Sequence, residues 1–174
     1  MDVHFAVHDL PSLDQLKTEA LCLPFFADER PLRGAPGLVD WRLCGRISEL
    51  LVLGRMRGEL GEAVLMPARP RLMAERLLWF GAGAQGALSE EIFRRVVRDL
   101  LTRLDGLRVR TAALVLPGRA VPRLEPARAL EGYLEESEPY AQHLDEVTVL
   151  DAHDAHRAMQ PLIDRARRRA LTEF

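Results

Sequence analysis

The apolar positions of this chain switch between a period of two and a period near 3.6, so strands and helices alternate along it. Residues 3–8 alternate Val3, Phe5 and Val7 with His4 and His8, the pattern of an edge or half-buried strand. The run Ala-Leu-Cys-Leu-Pro-Phe-Phe at 20–26 predicts a more buried strand. Pro24 has no amide to donate, which places that end at an edge or bulge. Between the two, residues 13–16 predict a short turn. A loop rich in proline and glycine fills 28–37. Leu38, Trp41, Leu43, Ile47, Leu50 and Leu51 then recur at helical spacing, predicting one amphipathic helix that ends near Gly54. Residues 62–67 and 76–80 predict two further strands.

The second half is more regular. Ser89 predicts a helix N-cap, and Glu90 and Glu91 behind it complement the positive helix end. Ile92, Phe93, Val96, Val97, Leu100, Leu101 and Leu104 form an apolar stripe that stops at Asp105-Gly106. The nearly continuous apolar run at 109–116 predicts a strand covered on both faces. Glu125-Pro126 opens another helix, residues 147–150 form a last strand, and a helix over about 152–171 follows. Interleaved strands and helices of this kind predict an α/β fold with a mixed, mostly parallel sheet, as one domain over residues 1–174.

Composition changes this picture little. The chain has 24 basic and 26 acidic residues, a net charge of −2, so a strongly basic surface for nucleic acid is not expected. Cys22 and Cys44 lie in segments that read as buried and form no C-x-x-C pair. They predict reduced core thiols, and with no secretory leader in view the expected setting is cytoplasmic. No apolar run is long enough to span a bilayer.

Candidate chemistry centres on residues 81–86. Gly81, Gly83 and Gly86 spell G-x-G-x-x-G, the spacing that lets backbone approach a phosphate at a helix N-terminus. A dinucleotide fingerprint follows the first strand of its fold and has an acid about 20 residues on. Here at least three strands come before the motif, and the next strand runs into Pro117-Gly118-Arg119, an arginine that reads as solvated. The segment is therefore read first as a strand-to-helix turn. The alternative is a phosphate or nucleotide site built from Gly81, Gly83, Ala84, Gln85, Gly86 and Ser89. His153 and His156, three apart beside Asp151 and Asp154, have the spacing of a partial metal site but no second cluster to complete it, so no metal is expected. No serine lies in a nucleophile elbow, and no catalytic residue is assigned. Arg165, Arg167, Arg168 and Arg169 are read as a solvated helix end, with a patch for an anionic partner as the alternative.

Several short motifs together resemble the N-terminal domain of the leucyl aminopeptidase family. They are the strand ending Pro24-Phe25-Phe26, then Asp28-Glu29-Arg30-Pro31-Leu32-Arg33-Gly34, then Gly37-Leu38-Val39-Asp40-Trp41 and Gly58-Glu59-Leu60-Gly61-Glu62. Phe80-Gly81-Ala82-Gly83 is similar to the family's glycine-leucine-glycine turn, with Ala82 in place of leucine. Residues 125–134, with Glu131-Gly132-Tyr133, resemble the helix that precedes the peptidase domain. The resemblance covers about residues 20–151 and implies a three-layer fold similar to the macro domain.

It also implies which chemistry to expect. The family's peptidase activity resides in a C-terminal domain with two metal ions held by a lysine, aspartates and a glutamate. This chain has one lysine, Lys17, and nothing like that metal motif, so no catalytic residue carries over and peptidase activity by this chain alone is not expected. Macro domains that bind ADP-ribose use an acid and an asparagine-rich strand end, and this chain contains no asparagine. The resemblance thus implies a non-catalytic domain, without cofactor, that works through a protein partner or self-association. Val121, Pro122 and Leu124, and the acidic stretch 131–138, are candidate contact points. A small anionic ligand at residues 81–86 is the alternative, and DNA binding by the C-terminal arginines a second one.

Overall fold

Residues 20–25 are buried without exception, so the strand they form needs cover on both faces. The computed structural model describes residues 1–119 and 124–172, with side chains as far as Arg168. In chain order the strands are β1 (Asp2–Val7), β2 (Ala20–Phe25), β3 (Ala63–Pro67), β4 (Arg76–Gly81), β5 (Thr111–Leu114) and β6 (Glu146–Asp151). The helices are α1 (Leu10–Gln15), α2 (Gly34–Arg42), α3 (Arg46–Val52), α4 (Glu90–Gly106), α5 (Pro126–Ser137) and α6 (His153–Thr172). The sheet runs β1–β6–β5–β2–β4–β3, and every pairing is parallel except β3 with β4. The mixed, mostly parallel α/β class read from the sequence is the one observed.

Strand alternation divides the core in two. Cys22, Leu78, Phe80, Ala112, Val147 and Val149 point to one face and pack with Phe93, Val97 and Leu101 of α4, Tyr133 of α5 and Met159 of α6. Leu21, Leu23, Phe25, Leu77, Trp79 and Ala113 point to the other, against Leu13 of α1, Val39 of α2 and Ile47 and Leu51 of α3. The period of two persists beneath the unbroken apolar runs, which is why the central strands have no polar face. Pro24 sits in this central strand, yet its position fits the missing amide. Cys22 O accepts the Val115 N–H at 3.1 Å, and β5 stops at Leu114. The Pro24 nitrogen faces the same side two residues later, past the end of that neighbour. No described helix is long and apolar enough to cross a membrane.

The single helix expected from Leu38 to Gly54 is not observed. The stripe from Leu38 to Leu51 is not one helix but two, broken at Leu43-Cys44-Gly45, where Cys44 and Gly45 take φ of 58° and 78°. Asp40 explains the break. Its buried carboxylate accepts the Ile47 N–H at 2.7 Å, the Ser48 N–H at 3.3 Å and the Ser48 hydroxyl at 2.5 Å. A residue of α2 thereby caps the first turn of α3, a job a local Ser or Asp usually does. Helical periodicity survives because both helices lay their apolar sides on the same face of the sheet. The break also puts Cys44 in solvent, whereas Cys22 is buried as expected.

Asp40→Ala leaves the amides of Ile47 and Ser48 without their acceptor and is expected to cost about 2 kcal/mol. At about 2–4 °C per kcal/mol for a chain of this size, calorimetry should show Tm lower by about 4–8 °C. Asp40→Asn keeps one carbonyl acceptor and should lose less.

Candidate functional site

All the parallel strands end on one edge of the sheet. The chain leaves β2 toward β4 on one side and leaves β5 toward β6 on the other, so the order reverses between β5 and β2. Open α/β sheets place ligand crevices at such a reversal, outside the carboxyl ends of the strands. Here that region is framed by Phe26, Ala27, Asp28 and Glu29 after β2, by residues 81–86 at β4, by Pro117, Gly118 and Arg119 after β5, and by Asp151 of β6.

The glycine segment is held by its neighbours at four of its six amides. Gly81 N–H donates to Glu62 O at 2.8 Å, Ala82 N–H to Phe25 O at 2.9 Å and Gly83 N–H to Gly58 O at 2.8 Å. Gly83 O accepts the Ala27 N–H at 2.9 Å. The Asp28 carboxylate accepts the Gln85 N–H at 2.9 Å, so a side chain of this protein already supplies an anion to the loop. Ala84 O accepts the Ala87 N–H as a single 3-10 turn forms over Gln85–Ala87. Ser89 caps α4, its hydroxyl accepting the Ile92 N–H at 3.2 Å. The residues chosen as a ligand site are thus contiguous but face different ways: Gly81 and Gly83 toward the 58–62 turn, Gln85 toward Asp28, Ser89 into its own helix.

Two of the three motif glycines, Gly81 and Gly83, have a structural reason. A Cβ on Gly81 would lie 2.0 Å from Glu59 O, and a Cβ on Gly58 2.5 Å from the Phe26 carbonyl carbon. Gly83 has φ of +75°, a conformation only glycine adopts without strain. Gly86 has neither a close neighbour nor a positive φ. The turn at 58–61 is itself locked by Glu62, whose carboxylate accepts the amides of Arg57, Gly58 and Glu59.

Arg119 departs from its reading as a solvated arginine. It is nearly buried, pairs with Asp151 at 2.7 Å and donates to Leu124 O at 2.7 Å, tying the loop after β5 to the end of β6. Neither partner is adjacent in sequence, so nothing local announced the pair. Glu29 is also buried, with Oε1 lacking a hydrogen-bond partner. Burial pushes its carboxyl above the ordinary value of 4.5, against the opposing pull of Arg33.

His153 and His156 do not converge with a third ligand, and no group of three His, Cys, Asp or Glu side chains among the described residues is placed to hold a metal. His156 instead stacks on Phe5 with ring centroids 5.1 Å apart, and burial holds its imidazole below the ordinary value. Of the C-terminal arginines, Arg167 donates to Val3 O at 3.3 Å and Arg168 to Asp164 O at 3.2 Å, while Arg165 is exposed. The Arg169 side chain lies outside the described residues, as do Val121 and Pro122; Leu124 packs on the core. The acidic stretch is largely balanced by arginines of α4 and α5: Arg94 pairs with Glu135 and Glu136, Arg98 with Glu136, and Arg128 with Glu131. A groove of about 820 Å³ beside the α2–α3 break, lined by Asp14, Trp41, Arg42, Cys44, Ser48 and Arg71, was not foreseen because it depends on that break.

The model of the Cytosol aminopeptidase family, N-terminal domain, matches residues 22–140. The cytosol aminopeptidase of Pseudomonas aeruginosa PAO1 is 35% identical over 108 residues, which are 62% of this chain and 22% of that protein. The probable cytosol aminopeptidase of Azotobacter vinelandii is 36% identical over 101 residues, 58% of this chain and 20% of that one. This chain therefore spans about a fifth of the length of the curated relatives it matches. Among solved structures, the Trypanosoma brucei macrodomain in complex with ADP-ribose is similar with a TM-score of 0.70 at 19% identity, covering 92% of this chain and 69% of that one. A mutant of tomato leucine aminopeptidase is similar with a TM-score of 0.60 at 14% identity, covering 92% of this chain and 35% of that one. Both likenesses bear on the fold, which is that of a macro domain.

Two outcomes follow from the site's packing. Gly81→Ala drives a Cβ into backbone and is expected to cost about 3 kcal/mol or more, whereas Gly86→Ala should change stability by less than about 0.5 kcal/mol, both read from urea unfolding. Glu29 has a raised folded pKa, so its contribution to stability is whole below pH 4.5 and is lost as pH rises through the folded value. Glu29→Gln, which never ionises, should therefore melt above the wild type at pH 7, with the gap closing toward pH 4 in a Tm series.

Proposed function

Because this chain belongs to the cytosol aminopeptidase family through that family's N-terminal domain, we propose that it is a non-catalytic module acting through contact with a protein partner or a second copy of itself. The observation that carries this reading is the use of the glycine segment. Its amides at 81, 82, 83 and 85 meet protein acceptors, one of them the Asp28 carboxylate, so the segment works as a joint between β4, β2 and the 58–62 turn. The nearby guanidinium of Arg119 is already paired with Asp151. The surface supports the same reading: Trp41, Val52, Leu53, Leu65 and Met73 stand in solvent, with Val52 85% exposed. Exposed apolar side chains are what a protein contact would cover.

A second reading, a nucleotide or phosphorylated ligand held by residues 81–86, draws on the ADP-ribose complex of the Trypanosoma brucei neighbour. The two readings differ in a thermal-shift screen with ADP-ribose, NAD and nucleoside phosphates. A ligand at a hundredfold excess over its Kd stabilises by about 2.7 kcal/mol, or about 5–10 °C for a chain of this size. The contact-module reading expects no such shift. A shift of several degrees that disappears in Gly86→Val, where the added side chain meets open space, would overturn it.

A further inference from the structure

The sheet has two edges, and the molecule treats them differently. Asp2 N–H donates to Asp145 O, so Asp2, His4 and Ala6 turn their backbone groups toward β6, and those of Val3, Phe5 and Val7 face outward. Arg167 of α6 reaches across and donates to Val3 O at 3.3 Å, occupying one outward acceptor of that edge. On the far side, Gly81 N–H donates to Glu62 O and Ala68 N–H to Glu75 O. Residues 62, 64, 66 and 68 therefore face β4, and the backbone groups of Ala63, Leu65 and Pro67 face out.

This second edge has few of the devices that usually blunt one. It carries no charge, its register with β4 is unbroken by a bulge, and Ala63, Leu65 and Pro67 are exposed, Leu65 by 49%. Exposed, flat, apolar edges are templates for a further strand. Pro67 is the only blunting residue, and it sits at an outward position where its missing amide costs the β4 ladder nothing.

Resting on the contact-module reading, we infer that the β3 edge pairs antiparallel with the β3 edge of a second copy of this chain, on a twofold axis through Leu65. Two features select a second copy as the occupant. The first is self-complementarity: with Leu65 opposite itself, the two Leu65 residues exchange both N–H···O bonds, and each Ala63 N–H meets the other copy's Pro67 carbonyl. Only the Ala63 carbonyl is left without a ladder partner, because Pro67 cannot donate. The second is charge. Within four residues of the strand, the only acids, Glu59 and Glu62, precede it, and the only bases, Arg69 and Arg71, follow it. Glu59, Arg69 and Arg71 are exposed. Antiparallel self-pairing lays the acidic end of one copy beside the basic end of the other, as an isologous interface requires. The product is one continuous sheet spanning both copies, a form of β-augmentation.

The test combines mass and site-resolved exchange. Light scattering at protein concentrations up to about 1 mM, high enough to register a weak edge contact, should approach twice the 19.6 kDa chain mass. Leu65→Lys places two ammonium groups face to face on the axis and should halve that mass while the Tm stays near wild type. Hydrogen exchange followed by NMR gives a readout independent of that variant. In the dimer the amides of Ala63 and Leu65 should be protected along with those of Val64 and Met66, and on dilution the first pair alone should lose protection. A chain that stays monomeric at the highest concentration, a Leu65→Lys protein that remains dimeric, or a dimer whose Ala63 and Leu65 amides exchange freely would each overturn the inference. A monomer leaves the contact-module reading standing, since that reading falls to the ligand screen instead.

Discussion

Three segments meet closely at one corner of this protein: the end of β2 at Phe26-Ala27, the turn at 58–61, and the end of β4 at residues 81–83. The contact is backbone on backbone. Gly58 and Gly81 are present because a single Cβ at either would lie 2.0–2.6 Å from main-chain atoms of the facing segment. Such an approach lets Gly81, Gly83 and Ala27 exchange hydrogen bonds across the three segments. Those bonds satisfy backbone groups of all three segments, including the amide of the buried Gly81. The joint sets where β3 begins and therefore its register on β4. It also turns the chain from β4 toward α4.

The rest of the fold is arranged around that corner as two unlike halves. The face bearing α4, α5 and α6 is built from long helices bound by ion pairs, with Arg94 of α4 reaching Glu90 on its own helix and Glu135 and Glu136 on α5. Much of the charge there is exposed and adds little stability pair by pair. It does neutralise an acidic surface that would otherwise invite a cationic partner. The opposite face relies on short helices and on one buried carboxylate, Asp40, whose hydrogen bonds to Ile47 and Ser48 hold α3 to α2. The groove and exposed Trp41 lie on this second face, beside the break that Asp40 stabilises.

The electrostatics of the strand ends follow the same logic of internal pairing. Arg119, in the loop after β5, and Asp151, the last residue of β6, satisfy each other in a nearly buried position. Asp28 meets the Gln85 amide. Glu29 keeps an oxygen without a hydrogen-bond partner, and burial raises its pKa. A region that in other α/β sheets gathers donors for a ligand is here largely occupied by the protein's own groups. What remains open is geometric rather than electrostatic: an apolar sheet edge at β3, opposite an edge where Arg167 holds the Val3 carbonyl.

Much of this was legible in the residues alone, because strand and helix formation depend on local periodicity. The apolar run at 20–26, the stripe from Ile92 to Leu104, the Ser89 cap and the Glu125-Pro126 helix start each state their structure within a few residues. The family motifs carried the macro-domain topology. Tertiary structure decided what depends on distance in space. A continuous apolar stripe from Leu38 to Leu51 could not reveal that Asp40 would cap a second helix seven residues on. Arg119 read as solvated because its partner lies 32 residues away. The glycines at 81, 83 and 86 looked equivalent in sequence, yet the first two answer to a close neighbour or a positive φ and the third to neither. Spacing records which residues can lie on one face, but only the folded chain determines what stands opposite them.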